Sequence, residues 1–332
     1  MNSSLLDQIF GRMNGLKVLV IGDVMADAYI RGKVDRISPE APVPILNTRH
    51  REVRLGGAAN VALNLKALGA DVTLCALVGN DDTGILIKNL VAEAGMHTHG
   101  LVVSPNRPTT IKTRIIAGSQ HLLRLDEEND SPTFENEKQE ILRLALQLAE
   151  TADAIIFEDY DKGLIFRELI EKTVEVARKR DIPVTVDPKK RNFLDYQGVT
   201  LFKPNLKELK EGLKTDFNPR NNEEVELASR QMLEAIGAGF VLLTLSEHGM
   251  AITGPAVFRH TPAMPRDIAD VSGAGDTVIS VATMCLALGC SEEMVLTLSN
   301  LAGGLVCESS GVVPINKAQL LDEARRLSYV QD

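Results

Sequence analysis

The 332-residue chain contains no tryptophan, and aromatic residues make up only 4 % of it. Stacking of nucleic-acid bases on exposed rings is therefore not a major device here. A basic excess is lacking too. Thirty-six Lys and Arg stand against 45 Asp and Glu, for a formal net charge of −9. That balance argues against nucleic acid or an anionic membrane as the main partner, while leaving room for a local basic pocket. The four cysteines, Cys75, Cys285, Cys290 and Cys307, form no C-x-x-C pair and sit mostly in apolar surroundings, as buried thiols in a reducing cytoplasm would. No run of 18 apolar residues occurs, and Met1 to Asn14 has no continuous apolar core of signal-peptide type, so a cytoplasmic protein is expected. A P-loop motif is absent. The G-x-G pairs at Gly237 and Gly273 come late, with Leu242 and Val278 where a third glycine would stand, which disfavours an NAD-dependent oxidoreductase.

What is present is ordinary for a soluble globular protein: 44 % hydrophobic and 24 % charged residues, without repeats or low-complexity stretches. Lys17 to Ile21 is a short β-branched run ending in Gly22-Asp23, which reads as a buried parallel strand with an acid at its carboxyl end. Ligands in open α/β sheets bind at that edge. Asp23 and Asp27 are thus candidates to hold substrate hydroxyls, with turn-capping as the alternative. From Tyr29 to Arg54 the pattern breaks into short alternating pieces interrupted by Pro39, Pro42 and Pro44, suited to small exposed strands or a lid. Gly56 and Gly57 then open a helix running through Leu68, where backbone can approach a ligand closely and Asn60 lies at the same end. A strand from Asp71 to Gly79 and a helix from Asp82 to Gly95 establish the βαβ alternation of a parallel sheet. His97 and His99 read as a plain strand face, because no ligand cluster accompanies them.

Two further runs, Thr109 to Ile116 and His121 to Asp126, predict a hairpin around Gly118. Alternation places Lys112 and Arg114 on one face, and Arg124 with Asp126 on a face of the partner strand. These cations suit either a solvated outer face or a phosphate already carried by a substrate. An amphipathic helix from Glu135 to Thr151 precedes a strand, Ala154 to Phe157, with the acidic end Glu158-Asp159. A helix from Leu164 to Lys179 leads into a strand reaching Asp187 and Lys189. Asp159, Lys162, Asp187 and Lys189 are placed for a cleft or for loop solvation. Asn205 and Glu208 stand three apart at a helix start, a spacing common to helix capping and to hard-oxygen Mg²⁺ ligation.

The stretch Asp270-Val271-Ser272-Gly273-Ala274-Gly275-Asp276-Thr277 precedes an apolar helix. Its glycines let backbone N–H groups converge on an anion, which the helix terminus also favours. Asp276 would be repelled by a resting phosphate, so it makes more sense as a base beside a phosphoryl group in transit. The alternative is a glycine-rich N-cap followed by an acid in the first turn.

The stretch from Asp270 to Asp276 resembles the D-x-x-G-A-G-D signature of the ribokinase-like carbohydrate kinases, the PfkB family, and Gly56-Gly57-x-x-Asn60 resembles that family's amino-terminal G-G-x-x-N. The resemblance implies an ATP-dependent enzyme using Mg²⁺, with Gly273, Ala274 and Gly275 as anion hole and Asp276 as catalytic base. It implies sugar binding by Asp27 or Asp23, Gly56, Gly57 and Asn60, and metal organisation by Asn205 and Glu208, mainly through water. Thr244, Ser246 and Gly249 match where the family cradles the nucleotide, with Asn205 beside them and Asn300 as an adenine-pocket candidate. The implied fold is a single α/β ribokinase-like domain over residues 1–332. It has three layers, a mostly parallel central sheet and a small β-sheet lid from about residues 28–54 and 107–126, and its lids pair in a homodimer.

Ile37 to Pro44, Asp159 to Gly163 and Arg124 to Asp126 are similar to the heptose-7-phosphate kinases within that family. This implies phosphorylation of D-glycero-β-D-manno-heptose 7-phosphate at the C1 hydroxyl, in the synthesis of the lipopolysaccharide inner core. Lys112, Arg114, Arg124 and Asp126, with Asp159 and Lys189, would then bind the substrate. Another sugar or sugar phosphate, or a catalytically silent sugar sensor, are the alternatives. Some relatives carry a nucleotidyltransferase domain after the kinase; with Asp332 as the last residue, that activity is expected on another polypeptide.

Overall fold

The computed structural model describes residues 3–264, 266–309 and 311–331. In chain order the strands are β1 (Lys17–Gly22), β2 (Val24–Ile37), β3 (Pro44–Gly57), β4 (Asp71–Gly79), β5 (Leu101–Ser104), β6 (Ile111–Ala117), β7 (Gln120–Glu127), β8 (Ala154–Glu158), β9 (Val184–Asp187), β10 (Leu201–Phe202), β11 (Phe240–Thr244), β12 (Met250–Gly254) and β13 (Val257–Thr261). The helices are α1 (Ser3–Arg12), α2 (Ala58–Leu68), α3 (Asp82–Glu93), α4 (Glu135–Ala149), α5 (Arg167–Arg180), α6 (Leu206–Leu213), α7 (Asn222–Ile236), α8 (Ala274–Ala287), α9 (Glu292–Cys307) and α10 (Lys317–Gln331).

Nine strands form one sheet in the order β13-β12-β11-β10-β9-β8-β1-β4-β5. It is parallel throughout except for β12 and β13, which run antiparallel at one edge. Its central strands are apolar on both faces because helices cover both. Val18, Val20 and Ile156 pack with α1, α2, α3, α8, α9 and α10. Their strand neighbours Leu19, Ile21 and Phe157 point the other way and pack with α4, α5, α6 and α7. This is the α/β three-layer architecture that the resemblance implied, and its parallel sheet is the one expected from the alternation of elements. No helix among the described residues is long and apolar enough to cross a membrane.

A second sheet has the order β3-β2-β6-β7. Its strands span 24–57 and 111–127, close to the expected lid segments. The short broken pieces anticipated between Tyr29 and Arg54 are instead two paired 14-residue strands. Pro39 and Pro42 fall in the connection between them and Pro44 takes the first position of β3, so no proline removes a donor from a strand interior. The hairpin at Gly118 forms as expected, with that glycine at φ 60°. His97 makes only an isolated bridge to Thr73, and its Nε2 lies 2.9 Å from Asp71.

Only Asp23 separates β1 from β2, so the chain passes directly from central sheet into lid and returns through Gly56-Gly57 into α2. The return is tight. Gly57 sits at φ 60°, ψ −137°, and a Cβ there would lie 2.4 Å from the Asp23 carbonyl oxygen. That oxygen accepts the Ala58 N–H at 2.9 Å. Gly57→Ala should therefore destabilise the protein by about 1–3 kcal/mol or more, read by denaturant unfolding. Wild-type stability would contradict the requirement for glycine at this crossing.

Candidate active site

Parallel register brings the carboxyl ends of β1, β8 and β9 side by side, aligning Gly22 with Glu158 and Glu158 with Asp187. Above them α8 begins at Gly273, its N-cap with φ 80°, so Asp276 stands in the first helical turn. Carboxylate oxygens of Glu158, Asp187 and Asp276 all lie within 4.8 Å of one another. All three side chains are buried. Lys203, just past β10 and equally buried, sets its Nζ 2.6 Å from Asp187 Oδ2. Burial alone would drive the proton off Lys203, but the carboxylates of Asp187 and Glu158 outweigh it and raise its pKa. A Cβ on Gly275 would lie 3.4 Å from that ammonium. The glycine turn therefore sits directly over a fixed positive charge.

Burial, reinforced by Asp187, pushes the Asp276 pKa up to about 6 against the opposing effects of Asn60, Lys203 and Tyr160. Asn60 of α2 donates to Asp276 Oδ2 at 2.5 Å, and the Tyr160 hydroxyl donates to Oδ1 at 3.3 Å. Glu158 is held well above the carboxylate range by burial and by Asp187 and Asp276. Neither of its oxygens has a hydrogen-bond partner among the described residues. The arrangement offers an oriented carboxylate of raised basicity beside a glycine turn and a buried cation, a combination suited to proton abstraction with developing negative charge nearby.

The other expected residues divide into two groups. Asp23 accepts backbone N–H groups of Tyr160, Lys162 and Leu164, at 2.9, 3.1 and 3.4 Å. Asp159 accepts from Asn192, Tyr196 and the Asp161 N–H. These two carboxylates are thus engaged in fixing the loop after β8. Asp27 pairs with Arg114 on the lid, and a Cβ on Gly56 would lie 2.3 Å from Asp27 Oδ2. Lys112 and Asp126 face each other across β6 and β7, as do Arg114 and Arg124, and Arg124 grips Asp126 through two nitrogens at 2.8 and 2.9 Å.

Asn205 and Glu208 form a reciprocal capping box at the start of α6. Glu208 also accepts from Lys189 at 2.6 Å, and Lys189 lies over the Tyr160 ring. The convergent carboxylates are instead those of Glu158, Asp187 and Asp276. Spacing along the chain could not reveal that set, nor Lys203, because strand register assembles it. Asn205 bridges to Thr244. Ser246 and Gly249 follow in the turn to β12, at φ 54° and 90°, and Asn300 donates to the Pro262 carbonyl at 3.0 Å.

The family profile described as pfkB family carbohydrate kinase matches residues 16–318. The chain belongs to this family. Its family is one of carbohydrate kinases, and its fold is ribokinase-like. Two similar curated proteins are each named Bifunctional protein HldE. One, from Koribacter versatilis (strain Ellin345), is 39 % identical over 305 residues, covering 92 % of this chain and 62 % of the relative. The other, from Rhodospirillum rubrum, is 38 % identical over 317 residues, covering 95 % and 64 %. This chain thus spans just under two thirds of the length of either. Among solved structures, Arabidopsis thaliana ribokinase complexed with ribose and ATP superposes with a TM-score of 0.72 at 18 % identity, covering 92 % of this chain and 99 % of that one. Escherichia coli phosphofructokinase-2 in complex with substrates and products gives a TM-score of 0.76 at 18 % identity, covering 94 % and 100 %. Both share the fold.

Removing the Lys203 ammonium would leave the strand-end carboxylates with Lys189, 3.8 Å from Asp187, as their remaining nearby cation among the described residues. Lys203→Met is expected to cost about 3–5 kcal/mol of folding stability, measured by urea unfolding at neutral pH. An unchanged unfolding midpoint would mean that Lys203 does not neutralise the cluster.

Proposed function

We propose that the chain phosphorylates a sugar that already carries a phosphate, D-glycero-β-D-manno-heptose 7-phosphate, at its C1 hydroxyl to give heptose 1,7-bisphosphate. The observation that carries this reading is the hydrogen bond from Asn60 to Asp276. It joins the glycine-led helix after the lid to the glycine-led helix of the anion hole, so an acceptor held at the first meets a base at the second. The two relatives named Bifunctional protein HldE support the choice of heptose.

In this reading the C1 oxygen attacks the γ-phosphorus of ATP while the bond to the β,γ-bridging oxygen breaks, and Asp276 takes the hydroxyl proton. Backbone N–H groups of the Gly273-Ala274-Gly275 turn and the Lys203 ammonium receive the developing negative charge. Glu158 and Asp187 fit a divalent ion: they are hard oxygen donors, and both Glu158 oxygens are buried without a hydrogen-bond partner among the described residues. Mg²⁺ held there, with Asn205 and Glu208 acting through water, would supply charge neutralisation for the phosphates. Thr244, Ser246, Gly249 and Asn300 cradle the nucleotide, and Lys112, Arg114 and Arg124 hold the sugar's own phosphate.

The β7 edge strand exposes Leu123 and Leu125, 53 % and 47 % accessible, on the face opposite Arg124. Edge-to-edge pairing of two lids would protect that strand, and a homodimer is the proposed state. Light scattering on the purified chain should give twice the 36.1 kDa chain mass; a clean monomer would refute the pairing. Asp276→Asn should fold and bind ATP while losing about 10²–10⁴-fold in turnover, and near-normal turnover would remove the base assignment. ADP release with Mg-ATP is expected to be strong with heptose 7-phosphate and weak with fructose 6-phosphate or ribose. The reverse preference would keep the kinase and discard the heptose.

A further inference from the structure

The loop 159–164, which follows β8, is held from several sides. Asp23 accepts the Tyr160, Lys162 and Leu164 N–H groups. The Arg107 guanidinium donates to the Lys162 carbonyl at 2.7 Å, and the Thr133 hydroxyl donates to the Gly163 carbonyl at 2.5 Å. Lys162 itself pairs with Glu128 at 2.9 Å. Asp161 takes φ 57°, the left-handed region that is costly for a residue with a Cβ, and its carboxylate accepts the Arg191 N–H at 3.2 Å. Asp159 is buried against Asn192 and Tyr196. A segment tied by this many contacts is confined to one backbone path.

Tyr160 is the side chain which that path aims at the site. Its ring is partly buried, Lys189 Nζ lies 5.4 Å from the ring centre, and Lys189 is in turn anchored on Glu208 at 2.6 Å. Among the described residues its hydroxyl makes a single hydrogen bond, to Asp276 Oδ1 at 3.3 Å. The clamps on the loop therefore converge on one contact, between a phenol and the carboxylate proposed as base.

The two oxygens of Asp276 have unlike partners. Oδ2 receives an amide N–H of Asn60 at 2.5 Å, and an amide nitrogen can only donate. Oδ1 receives a hydroxyl, which donates or accepts according to how it turns about its C–O bond. A proton arriving on Oδ2 would meet an N–H that cannot become an acceptor. One arriving on Oδ1 meets a hydroxyl that can.

We propose that Tyr160 is a positioning residue for the phosphoryl transfer: with Asn60 it fixes the Asp276 carboxylate so that Oδ1 receives the proton of the acceptor hydroxyl. In that step the acceptor O–H bond breaks, its electron pair stays on the oxygen that bonds to phosphorus, and an Oδ1–H bond forms. The Tyr160 hydroxyl turns from donor to acceptor as it does so. This inference rests on the reading of Asp276 as the base and deepens it.

The test is a double-mutant cycle in the full-length chain with Mg-ATP and heptose 7-phosphate, or fructose 6-phosphate should the chain prefer it. Tyr160→Phe removes one oxygen and should lower kcat about 5–30-fold, the worth of a hydrogen bond to a charged group. KM for both substrates should stay within about twofold of wild type. In the Asp276→Asn background the same substitution should cost less than about twofold, because its effect passes through the carboxylate. A full second loss in that background would overturn this inference, since a loop merely loosened costs the same in either background. So would an unchanged kcat in Tyr160→Phe, or a raised KM for the sugar at unchanged kcat. Each of those results leaves the base reading standing. Near-normal turnover of Asp276→Asn would remove that reading, and this inference with it.

Discussion

One buried group of charges sets the terms for this molecule: the Lys203 ammonium among the carboxylates of Glu158, Asp187 and Asp276. Buried carboxylates this close cannot all stay ionised without a cation. The fold supplies it from the next parallel strand, while burial and the neighbouring carboxylates of Asp187 and Asp276 raise the Glu158 pKa. Asp276 is left between two pressures. Burial and Asp187 raise its pKa, while Asn60, Lys203 and Tyr160 hold it down. With a pKa of about 6 it stays largely ionised at neutral pH, as the proposed role of base toward a sugar hydroxyl requires.

The path of the chain makes this arrangement and the lid one construction. Asp23 is the single residue between β1 and β2, and its carboxylate holds the amides of the loop that follows β8. That loop carries Tyr160, which touches Asp276. The lid strand, the loop and Asp276 are thus linked through one corner. The strand that leaves this corner bears Asp27, and the strand that returns delivers Gly56, Gly57 and Asn60. In the proposed reading, acceptor recognition and proton abstraction are held in register by the same short crossing.

Much of this could be read in the sequence, and the limits have physical causes. The Asp270 to Asp276 stretch and the Gly56-Gly57 pair were legible as helix starts because glycine takes the positive φ those N-caps adopt. The βαβ alternation was legible because strands covered on both faces must be apolar throughout. Glu158 and Lys203 were not, since neighbours in a parallel sheet are distant in the chain and only register joins them. Asp23 and Asp159 stood at strand ends, as substrate-binding acids would. Nothing in their positions told that their oxygens turn to backbone amides, Asn192 and Tyr196. The Asn205 and Glu208 pair satisfied two expectations at once, and the capping box is the geometry adopted. The lid strands ran longer than their prolines suggested, because each proline falls where no ladder donor is needed.

The pH dependence of kcat/KM for the sugar tests the central claim most directly. As the proposed base, Asp276 would act only after losing its proton, so activity should fall as pH drops, with an acid limb at an apparent pKa of about 6. A limb near the ordinary aspartate value of about 4 would contradict a base shaped by burial among like charges.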